Sequence, residues 1–133
     1  MVKFRAWHKT WEEMGKVKRI RFDDEGNITT VLVKGQAFGS NVHLEEIELM
    51  QSTGLKDKNG KEIFEGDVVR MRNPRDRRQI GKFQVVRVAN SPMLGLLDKK
   101  LTTEIFNLYE HMRNYYEIAG NIYENPELLE VEE

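Results

Sequence analysis

The sequence predicts an α+β domain made mainly of antiparallel strands, with a small SH3-like barrel at its centre and one amphipathic helix packed on it. Three observations point there. Short runs alternate apolar and polar residues, as in Phe4-Arg5-Ala6-Trp7 and Lys82–Val88. Glycine-containing turn clusters, Asp23–Asn27, Asp57–Gly60 and Glu65–Asp67, separate such runs. One stretch, Leu101, Ile105, Leu108 and Met112, steps by four, three and four residues, which places all four on one side of a helix.

The elements follow in chain order. Phe4–Trp7 reads as a short strand, and Gly15 interrupts the pattern that follows Trp11 and Met14. Val17, Ile20 and Phe22 lead into the Asp23–Asn27 turn, and the β-branched run Ile28–Val33 completes a hairpin. Gly26 and Asn27 accept positive φ there at little steric cost. Gly35–Gly39 is a loop, and Val42–Met50 mixes periods, consistent with an extended segment or one helical turn. Asn59-Gly60, between Leu55 and Ile63-Phe64, is the pair that type I′ hairpin turns prefer. Glu65-Gly66-Asp67 launches the strand Val68–Met71, with Asp67 accepting backbone N–H bonds in its turn.

Asn73–Arg78 is a charged loop, and Lys82–Val88 pairs back on Val68–Arg72 until Asn90-Ser91-Pro92 ends it. Asp98 or Thr102 caps the helix. Tyr115–Tyr123 is a last strand, Asn125-Pro126-Glu127 starts a short helical turn, and Glu130–Glu133 frays.

Composition bounds the function. A chain of 133 residues fits one domain spanning 1–133 and buries a core without metals or disulfides. Twenty-one basic against 22 acidic residues give a net charge of -1, which does not suggest a general nucleic-acid coat or a membrane-surface protein. There is no cysteine, hence no thiolate zinc site and no Cys nucleophile. With no signal-peptide h-region and no apolar run of the ~20 residues that span a bilayer, the expected location is the cytoplasm.

Chemistry-bearing patterns are absent. His8, His43 and His111 are scattered without metal-ligand spacing. Asp57 and Asn59 open like a calcium loop, but Glu62 stands where the loop needs glycine; Asp23, Glu25 and Asn27 fail in the same way at Ile28. Gly35–Gly39 lacks the Gly-Lys-Ser/Thr of a phosphate loop, and Ser40 near His43 lacks a nucleophile elbow. No catalytic residue, metal, cofactor or small-molecule ligand is therefore expected.

One segment stands out. Arg70, Arg72, Arg75, Arg77 and Arg78 lie close together, relieved only by Asp76, and Lys82 and Arg87 lie on the neighbouring strand. If the two strands pair, the cations gather at a hairpin tip and along one face, where guanidinium groups suit phosphates. Phe83 is the nearest aromatic for base stacking. The plain alternative is a solvated loop, or one that meets acidic surface on another subunit. Glu124, Glu127, Glu130, Glu132 and Glu133 make residues 124–133 an acidic, partly frayed tail.

Several stretches together resemble the YopX-like family of phage and prophage proteins. They are Lys3–Trp7, Leu49–Gln51, Thr53–Ile63, Glu65–Val69 and Gly120–Leu128, in order along nearly the whole chain. His8, Ser52 and Phe64 depart from the usual Asp, aromatic and Tyr, and residues 72–101 match no family pattern. The resemblance implies a phage or prophage origin and a mostly β domain, and no activity or functional residue transfers with it. The expected role is a non-catalytic phage accessory module that contacts nucleic acid through the arginine hairpin. The alternative is a protein–protein assembly module, a homo-oligomer or a binder of a phage or host protein, without nucleic acid.

Overall fold

The computed structural model describes residues 3–35, 39–87, 94–97 and 105–129. The chain divides into two compact units, Met1–Gln51 and Ser52–Glu133. The first holds β1 (Phe4–His8), β2 (Glu13–Phe22), β3 (Ile28–Lys34), β4 (Gly39–His43) and the start of β5 (Ile47–Lys56). These pair antiparallel in the order β4-β3-β2-β1-β5. One face packs Ala6, Val31, Val33, Val42 and Ile47 into a core, with Val17, Ile20 and Leu49 against it. Gly15, expected to interrupt, lies inside β2 opposite Ala6. Both readings of Val42–Met50 hold in part, because a 3-10 turn at Leu44–Glu46 separates β4 from β5. Gly39 belongs to β4 rather than to a loop.

A β-bulge sets the faces of β2. Strict alternation through Lys16-Val17-Lys18-Arg19-Ile20-Arg21 would put Val17 and Ile20 on opposite faces. The register instead slips between Val17, opposite Val33, and Arg19, opposite Leu32, so Ile20 meets Val31. The extra residue restores both apolar side chains to the core face and leaves Lys16, Lys18, Arg19 and Arg21 exposed.

The second unit holds the end of β5, β6 (Glu62–Phe64), β7 (Asp67–Arg72), β8 (Ile80–Arg87), β9 (Leu94–Leu97), β10 (Ile105–Asn107) and β11 (Tyr116–Asn121). β6 pairs with β5, and the other five form a sheet in the order β10-β9-β8-β7-β11. β10 and β11 make no ladder together, so among the described residues this sheet is open and the expected barrel is not closed. Its core is Ile63, Val69, Met71, Phe83, Val85, Leu96 and Tyr116.

The expected amphipathic helix is not formed over its described part. Ile105–Asn107 is an edge strand on β9, and Glu110–Tyr115 is a 3-10 turn. Leu108 and Met112 still pack on the core, together with Phe106. The backbone between them is fixed from outside, since the Tyr109 N–H donates to the buried Tyr116 hydroxyl at 3.1 Å. The apolar spacing thus records separate contacts with one core, which an irregular path satisfies as well as a helix does. Leu101, the caps Asp98 and Thr102, the strand end Asn90–Pro92 and the tail residues Glu130, Glu132 and Glu133 lie outside the described residues.

Two hairpins, β2–β3 and β5–β6, use one turn chemistry. In Asp23–Asn27 the first carboxylate accepts from the N–H groups of Glu25 and Asn27, each at 2.9 Å, and Gly26 sits at φ +86. In Asp57–Lys61 the carboxylate accepts from Asn59 and Lys61, again at 2.9 Å, and Gly60 sits at φ +83. Asn59 has no positive φ, so this is not the type I′ turn that Asn-Gly suggests. The Asp57 side chain holds the backbone in a wider turn that needs only the glycine in the left-handed region.

Asp57 does more than cap its turn. It is fully buried, and its second oxygen accepts from the Ile118 N–H of β11 at 3.0 Å. The adjacent Lys58 N–H donates to the Tyr116 carbonyl at 2.9 Å, so the hairpin turn lies along the outer edge of β11. Burial pushes the Asp57 carboxyl pKa up, but the N–H groups of Ile118, Lys61 and Asn59 and the charge of Lys61 outweigh it and hold the pKa below the ordinary value.

The terminal family motif is turn chemistry as well. Asn121 Oδ1 accepts from the N–H groups of Tyr123 (3.0 Å) and Glu124 (2.8 Å), and Asn125 Oδ1 accepts from the Asn121 N–H at 3.3 Å. A Cβ at Gly120 would collide with Asn125 Oδ1 and come within 2.8 Å of Leu128 Cδ1.

Asp57→Asn should lower unfolding stability by about 2–4 kcal/mol at neutral pH in urea titrations, because the amide has one accepting oxygen where the carboxylate uses both, one for Asn59 and Lys61 and the other for Ile118. The Asp57 contribution is fully present above the unfolded pKa near 3.8 and is lost as pH falls through the lower folded pKa. The wild type should therefore lose stability below about pH 4 more steeply than the variant, and parallel acid profiles would contradict this. Gly120→Ala should cost about 1–3 kcal/mol by the same measurement, through the clash with Asn125.

Candidate nucleic-acid interface

The β7–β8 hairpin positions the arginine segment. On β7, Val69 and Met71 point into the core while Arg70 and Arg72 face outward. On β8, Phe83 and Val85 point inward, and Lys82 is exposed opposite Arg70. Arg72 stands opposite the exposed Ile80. The pairing expected from the sequence is therefore present, and Arg70, Arg72 and Lys82 share one face.

The connecting loop is braced by two side chains. Asn73 Oδ1 accepts from the Arg75 N–H at 3.0 Å, and Asn73 Nδ2 donates to Gln79 Oε1 at 3.0 Å. Asp76 Oδ1 accepts from the Arg78 N–H at 3.0 Å and so starts a 3-10 turn over Arg77–Gln79. This local bonding displays Arg75 and Arg77 on a fixed backbone, both exposed.

Carboxylates divide the seven cations into two groups. Arg70 meets Glu117 of β11 at 3.2 Å, and Arg87, at the far end of β8, meets Glu65 at 3.7 Å. Arg78 folds back on Asp76 at 2.9 Å, with its guanidinium 5.9 Å from the centre of the Phe106 ring. Arg72, Arg75, Arg77 and Lys82 make no ion pair with a described residue. Phe83, expected as the stacking aromatic, is fully buried and packs edge-on against Phe106, so it is core and unavailable to a base.

The sequence did not reveal that Glu117 sits within this face. Lys58 bonds it at 2.9 Å from the other side, and first Lys58, then Arg70, hold its carboxyl below the ordinary carboxylate range. Asp76 is likewise held low by the Arg78 side chain. Sequence reasoning also missed a second cationic row, Lys16, Lys18, Arg19 and Arg21 on β2; its signal is the dense Lys-Val-Lys-Arg-Ile-Arg run. Among the described residues no cluster of three or more His, Asp or Glu side chains is arranged to hold a metal, and no helix is long and apolar enough to cross a membrane.

These features define a mainly antiparallel β protein that carries a braced cationic hairpin. The chain belongs to the YopX family, whose model, described as YopX protein, matches residues 3–130. It is similar to the crystal structure of protein EF1440 from Enterococcus faecalis, at 28% identity and a TM-score of 0.68, over 98% of this chain and 99% of that one. No curated protein matches the chain.

Glu117 offers a direct check of the charge balance on this face. Its carboxyl should titrate below the usual glutamate range by carbon-detected NMR. Added salt should move that titration upward by screening Lys58 and Arg70. An ordinary, salt-independent titration would contradict the pairing.

Proposed function

We propose that this YopX protein is a non-catalytic accessory module of a phage or prophage that works in the bacterial cytoplasm and contacts nucleic acid through its β7–β8 hairpin. The observation that supports this reading is the uncompensated charge of Arg72, Arg75, Arg77 and Lys82 on one braced hairpin. Lys82 stands directly opposite Arg70, whose charge Glu117 already offsets, so Lys82 is left as the unpaired cation of the two. Guanidinium groups bond two phosphate oxygens at once, so Arg72, Arg75 and Arg77 are the direct contacts, and Lys82 adds a point charge. Arg70, Arg78 and Arg87, each held by a carboxylate, are secondary. With no stacking aromatic from Phe83, the hairpin recognises backbone rather than base and binds without strong sequence preference.

The test is a titration of the full chain with labelled DNA and RNA at two salt concentrations. Affinity should fall as salt rises, and Arg72→Gln, Arg75→Gln, Arg77→Gln and Lys82→Gln together should weaken binding at least about tenfold near 50 mM salt. No binding by the wild type at low salt, or binding unchanged by the four substitutions, would overturn the reading.

A further inference from the structure

We infer that the outward face of the β2–β3 hairpin, in the first unit, is a second and independent nucleic-acid surface, shaped for a single strand. It does not rest on the β7–β8 reading, since it uses other residues in the other unit.

The surface exists because of the bulge in β2. With the register slipped at Lys18, both Lys18 and Arg19 lie against Leu32 rather than alternating across the sheet. Lys16 stands opposite Lys34 on β3 and opposite Arg5 on β1, and Arg21 stands opposite Thr30. Lys16, Lys18, Arg19, Arg21 and Lys34 are all exposed, and none makes an ion pair with a described residue. Among the described residues the one carboxylate that register places on this face is Glu48, opposite Trp7, and Lys9 holds it at 3.5 Å.

A strand without bulges spaces same-face side chains roughly 7 Å apart and neighbouring strands by about 5 Å. The bulge packs four cations into a shorter row than alternation permits, with a further cation beside its start. That density suits consecutive phosphates of an extended single strand, which follows a shallow cationic track in sequence-independent binders. Phe22 takes no part in this surface: it follows Arg21 and stands opposite Ile28, which packs on the core, so its ring, though 60% exposed, belongs to the other face.

The acidic turn at the hairpin tip limits the path. Asp24 and Glu25 are exposed beside Arg21, and the N–H groups of Asn27 and Glu25 hold the Asp23 carboxyl low, so it stays charged. A strand running off the tip would meet these three carboxylates. The bound strand therefore crosses from Lys34 over Lys16 to Lys18 and Arg19, with Arg21 as its last cation.

The test uses the full chain in which Arg72, Arg75, Arg77 and Lys82 are already Gln, so that the direct contacts of the β7–β8 hairpin are removed. Labelled oligothymidylate and oligouridylate are titrated from about 50 to 200 mM salt. This chain should still bind. Lys16→Gln, Lys18→Gln, Arg19→Gln and Arg21→Gln should then weaken binding at least tenfold and flatten the logarithmic salt slope by about three, since each single-strand phosphate contact is worth roughly 0.7. Asp24→Asn with Glu25→Gln is a gain-of-binding variant that misfolding cannot mimic, and it should tighten binding severalfold at low salt. Absence of binding in the hairpin-neutral chain, an unchanged slope in the β2 variant, or no tightening in the tip variant would overturn the inference. Binding of polyglutamate as tight as that of the oligonucleotides would overturn it too, by assigning the face to an acidic polypeptide.

Discussion

The buried carboxylate of Asp57 is the constraint on which the second unit is built. One side chain closes the β5–β6 hairpin through Asn59 and Lys61 and fastens β11 through Ile118. β11 pairs with β7, and β7 with β8, so the ladder that displays the arginines starts from this contact. A carboxylate suits the task because it only accepts, and three N–H groups converge on it. The motif around it, Thr53 to Ile63, follows the same logic: Thr53 Oγ1 donates to the Ile63 carbonyl at 2.7 Å and accepts from the Leu55 N–H at 3.1 Å. The residues that carry the family resemblance are thus mostly those that satisfy backbone, with side chains serving where a ladder ends.

Much of the β architecture was legible because it is local. The Asp23–Asn27 turn, the β7–β8 pairing and the alternation of Phe83 and Val85 are written in neighbouring residues. The failures were non-local. Asn59-Gly60 suggested one turn type, but the Asp57 oxygens chose another. Leu108 and Met112 suggested a helix, whereas a hydroxyl from Tyr116 fixes the path at Tyr109. No spacing rule contains a partner that lies on another strand.

The same division holds for the cationic surfaces. Composition and clustering found the arginines between β7 and β8, but not which of them are neutralised. Glu117, 47 residues from Arg70, and Glu65 on the turn before β7 settle that. The β2 row escaped notice because the bulge hides it, since a period-two reading of that strand places its cations on both faces. Each surface is thus a by-product of how the fold disposes of apolar residues: the core claims Val17, Ile20, Phe83 and Val85, and the charges occupy what remains.

The bulge at Lys18 also bears on how such a chain tolerates change in length. Surface loops absorb insertions and deletions at small entropic cost. A bulge gives a strand the same tolerance at one position. Losing Lys18 would leave Val17, Arg19, Ile20 and Arg21 in plain alternation, with Val17 still opposite Val33 and Ile20 still opposite Val31. A change of one residue in length at this place therefore alters the charge of the outer face and leaves the core face as it was.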